Sequence, residues 1–255
     1  MLRKQLGTPT SAKHKGFHFR GHEVKRIETF SDAVFAFAVT LLIVSLEVPK
    51  SFEELQVTMR GFFAFAISFL FLLMIWYQQH VYFRRYGLED ITVVWLNGIL
   101  MFVVLFYVYP LKFLFTLMFS DQIYQHEKNP FSISAEQFPM LMSIYGIGYI
   151  VIYALFLLMY RHVLNKKEEL NLSGVEVFDT KTRIYANSIL VTIGVLAVVV
   201  AQILPAKNAG LSGFVYVLIG PVFSIVHSYR GKRRRKLFPH AGEENIGEAH
   251  QHSST

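Results

Sequence analysis

The 255-residue chain contains no cysteine, which excludes a disulfide framework, a thiolate metal site and a cysteine nucleophile. Charged residues make up only 17% of it, against roughly a quarter in ordinary soluble domains. They are scarcest where the chain is most apolar. Asp32, Glu47 and Lys112 lie near the ends of apolar runs, and His80 lies close to an end. An intramembrane enzyme needs an acid–base pair or a metal-ligand set at such depth, and this is a poor endowment for one. His240, His250 and His252 are too loosely spaced for a metal site. The chain also lacks an internal repeat, and its first apolar run lacks the length limit and small-residue cleavage site of a secretory signal. What is present is bulk hydrophobicity: 53% apolar residues, with 24 Phe and 13 Tyr, a composition that excludes disorder.

The apolar residues fall in six runs, 30–48, 61–76 (continuing towards 83), 92–119, 140–160, 184–204 and 211–226. A helix of about 20 apolar residues crosses a hydrocarbon layer roughly 30 Å thick. The expectation is therefore an all-α polytopic membrane protein with six transmembrane helices. The net charge of +7 is compatible with nucleic acid or with basic cytoplasmic ends, and position separates these. Before the first run come Arg3, Lys4, Lys13, Lys15, Arg20, Lys25 and Arg26. After the second come Arg84 and Arg85, and after the fourth Arg161, Lys166, Lys167, Lys181 and Arg183. After the sixth come Arg230, Lys232, Arg233, Arg234, Arg235 and Lys236. The opposite side holds only Lys50, Arg60, Lys112, Lys128 and Lys207, so 20 of 25 cations share one side. By the positive-inside rule both termini are cytoplasmic. The division expected is a basic N-terminal segment 1–23, a six-helix domain 24–230, and a basic then polar, disordered tail 231–255. The Lys232–Lys236 run beside a membrane exit suits anionic lipid better than nucleic acid.

The least ordinary segment starts the first run: Arg26, then Thr29, Phe30, Ser31 and Asp32. An N-cap role for Thr29, Ser31 or Asp32 accounts for these residue types as well as any functional role, since such side chains satisfy a helix's free N–H groups. Apolar residues surround the rest of the helix, so composition singles out no face.

Arg26, Phe30, Ser31 and Asp32, as Arg-x-x-x-Phe-Ser-Asp at the start of a first span, resemble the signature of the transmembrane protein 175 family. Ser68 and the W-x-x-x-H pair Trp76 and His80 in the second span, with Asn97 and Pro110 in the third, extend the resemblance. It covers roughly 24–230 and is strongest in the first three spans. Animal members are lysosomal potassium channels with two six-helix repeats, and prokaryotic members have one repeat per chain. The resemblance implies a prokaryotic plasma (inner) membrane channel: a homotetramer with the first helix of each subunit lining a central pore, with no cofactor beyond permeant potassium. It further implies that the Arg-Phe-Ser-Asp group bonds to the Trp, His and Asn of neighbouring helices rather than to ions.

By the same resemblance the pore-lining positions are Phe37, Thr40, Leu41 and Val44, whose spacing (i, i+3, i+4, i+7) is one helical face. Phe37 departs from the family's usual Ile or Leu at the narrowest ring. The carbonyl-lined Thr-Val-Gly-Tyr-Gly filter of ordinary potassium channels is absent. Selectivity then falls to side chains, and Thr40 supplies the only hydroxyl on that face. Glu47, fifteen residues beyond Asp32, is placed at the outer mouth. Gly146 and Gly148 in the fourth span read as packing residues. The expected function is a passive potassium channel; the alternative is a secondary transporter of a small solute or ion, for which Pro110 and Pro221 are candidate helix breaks.

Overall fold

The computed structural model describes residues 13–14, 17–21, 23–44, 50–119 and 133–239. Among these the regular structure is helical except for two short strands, β1 (Lys13–His14) and β2 (Phe17–His18), paired antiparallel with Lys13 opposite His18. The α-helices are α1 (Arg26–Val44), α2 (Phe52–Arg60), α3 (Phe62–Tyr86), α4 (Ile91–Met118), α5 (Phe138–Asn165), α6 (Gly174–Ile203) and α7 (Ile219–Leu237). A 3-10 turn, Ala135–Gln137, opens α5, and a 3-10 stretch, Ala206–Leu218, precedes α7.

Five stretches are long and apolar enough to cross a membrane: Phe62–Tyr86, Ile91–Met118, Phe138–Asn165, Gly174–Ile203 and Asn208–Leu237. The expectation of six transmembrane helices becomes five candidate spans plus a shorter helix. α1 has 19 residues, a rise of about 28 Å, and carries Arg26, Glu28 and Asp32 in its first two turns. α2 was not foreseen. Its apolar and acidic residues are mixed in a short, exposed helix between α1 and α3.

The sixth run is corrected in its form. Its first half winds as a 3-10 helix, and burial follows that period of three: Ala209 and Ser212 are buried while Leu211, Phe214 and Val217 are exposed. Glycines at 210 and 213, inside the stretch, disfavour α-helix there. α7 then continues through the basic run to Leu237, so residues 232–236 are helical. Pro110 lies inside a continuous α4, and Pro221 falls in the first turn of α7.

The core joins Ala38 and Leu42 of α1, Leu72 and Tyr82 of α3, Leu100, Val104 and Val108 of α4, and Ile152, Phe156 and Met159 of α5. α5 and α6 approach closely because glycines face them. A Cβ on Gly146 would overlap Val198 of α6, and one on Gly194 would press on Ile150. A Cβ on Gly148 would overlap the Tyr107 ring of α4, so both span-four glycines are packing residues. α4 opens on Asp90, whose side chain accepts from the Val93 N–H, and α6 opens on a capping box between Ser173 and Glu176. Gly87, at φ 58°, ends α3 in the left-handed region that favours glycine.

Candidate functional site

α1 has two opposite faces. Glu28, Ser31, Phe35, Ala38 and Leu42 recur every three or four residues and are buried against α3 and α4. Arg26, Phe30, Ala33, Phe37 and Thr40 keep the same spacing on the far side and are exposed, Phe30 by 61% and Phe37 by 55%. The Thr40 hydroxyl donates to the Ala36 carbonyl at 2.9 Å, so its proton is committed and its lone pairs are left for another partner. Leu41 is half-buried and packs against the core, at the edge of the exposed stripe rather than its centre. Val44 is the last residue of α1, and its side chain lies outside the described structure, as does the whole of Glu47.

The helix begins at Arg26, which places Thr29, Ser31 and Asp32 inside it and removes the N-cap reading. Ser31 and Asp32 instead bind other helices. The Asn97 amide donates to Ser31 Oγ at 2.8 Å, and Ser31 donates in turn to the Ile27 carbonyl at 2.7 Å. Trp76 Nε1 donates to Asp32 Oδ1 at 2.7 Å. The His80 ring stacks on Trp76, with centroids 5.4 Å apart and planes inclined by 19°, and so supports the indole rather than bonding to Asp32. Ser68 bonds back to Ala64 within α3 and does not reach α1. Arg26 and Phe30 lie on the exposed stripe, and among the described residues Arg26 has no hydrogen-bond or ion-pair partner.

Sequence reasoning passed over the residues that extend this network. Gln79 Nε2 donates to Asn97 Oδ1 at 3.0 Å, which fixes the Asn97 amide so that its N–H points at Ser31. Gln79, Asn97 and Ser31 are each at most 2% exposed. Its neighbour Gln78 donates to Asn187 of α6 at 2.9 Å. The signal was present: two adjacent amides inside an apolar run are costly without partners. Also missed was a clasp joining the stretch before α1 to the end of α3 and the start of α6. Arg20 forms a two-pronged ion pair with Glu176, at 2.9 and 3.0 Å, and also donates to the Leu170 carbonyl. Its backbone, with that of Gly21, bonds to the Arg85 and Arg84 carbonyls at the end of α3. Phe17 is buried edge-on to Tyr86 and beneath Arg85. The stretch 17–21, part of the basic N-terminal segment, is therefore held against α3 and α6. Nearby, burial alone would raise the Asp90 carboxyl, but hydrogen bonds from His162, the Val93 N–H and Lys166 override it and hold the group at about 2.

Residues 26–107 match the family described as "Endosomal/lysosomal potassium channel TMEM175", a stretch that contains α1 and the whole relay. A potassium channel of Marivirga tractuosa is 40% identical over 232 residues, which cover 87% of this chain and 93% of that protein. The chain belongs to the TMEM175 family. It is thus a member of a potassium-channel family and not an enzyme, an all-α multi-pass membrane protein with bacterial homologues. A potassium channel of Chamaesiphon minutus is 33% identical over 96 residues, 34% of this chain and 47% of that protein. Among solved structures, a variant of the potassium channel MtTMEM175 bound to a nanobody–MBP fusion has 37% identity and a TM-score of 0.75, over 89% of this chain and 99% of that one. A lysosomal potassium-selective channel TMEM175 homologue from Chamaesiphon minutus shares the fold at 23% identity, with a TM-score of 0.50 over 82% and 96% of the two chains.

Proposed function

We propose that this chain assembles as a homotetramer around α1, which serves as the sixth span, and conducts potassium passively down its gradient. One observation carries the reading: the stripe Arg26, Phe30, Ala33, Phe37 and Thr40 is uncovered although the opposite face of the same helix is packed and bonded. A helix of about 28 Å is long enough to line a pore through a layer of roughly 30 Å. Symmetry-related copies would cover the stripe and turn Phe37 and Thr40 towards a common axis. The names of the relatives supply the ion. α1 is continuous, so the carbonyls inside it are taken by helical bonds and selectivity rests on side chains. Four Thr40 oxygens, their protons turned back to Ala36, replace part of an ion's water shell. Phe37 and the flanking Leu41 close the path by steric block or dewetting, with Val44 beyond them and Glu47 at the outer mouth. The Arg20 clasp, Arg84, Arg85 and the C-terminal end of α7 gather at one end of the bundle, which supports a cytoplasmic location for both termini in a prokaryotic inner membrane. Lys232–Lys236 is placed against anionic lipid at that surface.

The test is single-channel recording of purified protein in planar bilayers under bi-ionic conditions. Phe37→Ala should raise unitary current and Thr40→Ala should lower the preference for potassium over sodium. Unitary current unchanged in Phe37→Ala removes that ring from the constriction. Saturating transport coupled to a second solute, with no unitary events, would favour a transporter instead.

A further inference from the structure

Lys112 lies in the outer half of α4, two residues after Pro110, and is the one cation among the residues of that helix. Its ammonium donates to the Leu42 carbonyl of α1 at 3.2 Å, and the side chain is half-buried. Leu42 is two residues past Thr40 and two short of Val44, the last described residue of α1, so its carbonyl is among those of the final turn. Those carbonyls carry the negative end of the helix dipole, and in a low-dielectric setting a cation is the partner that satisfies both the hydrogen bond and the charge. The Leu42 side chain is fully buried, so the carbonyl and the side chain are both held on the packed face of α1. At the other end of the same face the relay through Ser31 holds the helix to α4 as well. α1 is thus fixed to one neighbour near both of its ends.

We propose that Lys112 is a positioning residue that clamps the outer end of α1 and thereby sets the radial position of the Thr40 and Phe37 rings. The clamp is a statement about two helices of one chain; its consequence for ion selectivity rests on the pore assignment above. The chain has no cysteine, so Ile43→Cys, at an exposed position beside Leu42, gives a single spin-label site. In liposome-reconstituted protein, Lys112→Met should raise the mobile fraction of that label roughly two- to fivefold, the range for losing a cation at a helix C-terminus. Lys112→Arg, which keeps charge and donors, should restore wild-type mobility. A label equally immobile in Lys112→Met, or equally mobile in Lys112→Arg and Lys112→Met, overturns the clamp. Should Lys112→Met yield no folded protein, Lys112→Gln removes the charge and shortens the reach, and wild-type mobility in that variant also overturns it. Bilayer recording of the same proteins adds a second reading. Lys112→Met should lower the potassium-over-sodium ratio while Lys112→Arg retains it, which a merely structural loss shared by both variants does not produce. Mobility that responds as expected in a protein that passes no current refutes the pore assignment and leaves the clamp standing.

Discussion

The relay from Gln79 through Asn97 to Ser31 makes a quantitative prediction, because its donors all run one way. Asn97→Leu keeps the side-chain volume but strands the Gln79 amide N–H, at 2% exposure, and withdraws the donor from Ser31 Oγ. Gln79→Leu strands the Asn97 oxygen instead. A buried polar group left unpaired costs about 1–3 kcal/mol. Interhelical bonds measured inside membranes average only about 0.6 kcal/mol and reach about 1.7, since the separated helices find other partners. Three buried members with no water route place each single change near the upper part of that smaller range, about 1.5 kcal/mol. The double change Gln79→Leu/Asn97→Leu removes both ends of one bond together and strands only the Ser31 oxygen, which already has its own bond to Ile27. It should therefore cost about as much as one single change rather than the sum, a coupling of about 1.5 kcal/mol. For a chain of this size each single should lower the unfolding midpoint by roughly 3–6 °C, read by fluorescence-detected size exclusion after heating in detergent. Additive midpoints would refute the relay: the two amides would then be independent, and the orientation of Asn97 would owe nothing to Gln79.

Arg20→Met leaves the Glu176 carboxylate, at 0% exposure, with its Ser173 backbone bond but without the guanidinium. Losing one member of a buried pair costs about 3–5 kcal/mol, so this variant should unfold earlier than Arg20→Met/Glu176→Gln; equal midpoints would show that burial does not heighten the pair. The Asp90 carboxyl, held at about 2 against an ordinary value of about 3.9, contributes about 2 kcal/mol above pH ~4. Because the folded value is depressed, that stability is lost as pH falls through 2, and the gap in midpoint between wild type and Asp90→Asn should close between pH ~4 and ~2. A gap independent of pH would refute the assignment. Gly148→Ala sets a methyl into the Tyr107 ring, which is tied by its hydroxyl to the Tyr145 carbonyl. It should destabilise by about 1–3 kcal/mol, and Tyr107→Leu should relieve it; destabilisation unchanged in that background would place the strain elsewhere.

What the sequence made legible follows from how local each signal is. Apolar runs are local, and five of them are helices long and apolar enough to cross a membrane at close to their expected positions. The sixth run's 3-10 winding was not legible, since apolar composition is blind to whether the burial period is 3.0 or 3.6, and only the alternation of Ala209 and Ser212 with Leu211 and Phe214 distinguishes them. The Ser31–Asn97 and Asp32–Trp76 contacts were anticipated through family resemblance, since a motif's residues say nothing by themselves about which helix they will meet. Gln79 was within view, inside the very W-x-x-x-H spacing that was read, but reading by motif discards the unnamed positions. Arg20 and Glu176 are 156 residues apart, and no pattern in either neighbourhood joins them.

The scarcity of ionisable residues in the spans now has a more specific meaning than a lack of chemistry. The polar groups that α1 turns inward are consumed: Ser31 by Asn97, the Leu42 carbonyl by Lys112 and, at its flank, Asp32 by Trp76 of other helices, while Glu28 accepts from the Lys25 N–H just before the helix. Polarity on the packed face fixes where the helix stands, and the exposed polar residues are Arg26, Thr29 and Asp32 in the first two turns and Thr40 further along. The two faces can therefore vary independently. A substitution such as the aromatic at Phe37 alters what the stripe presents without touching a single bond that holds the helix, because its neighbours on the wheel are Ala33, Thr40 and Leu41 rather than Ser31 or Ala38. That separation lets an aromatic residue stand on the exposed stripe while the packed face keeps its bonds to α3 and α4.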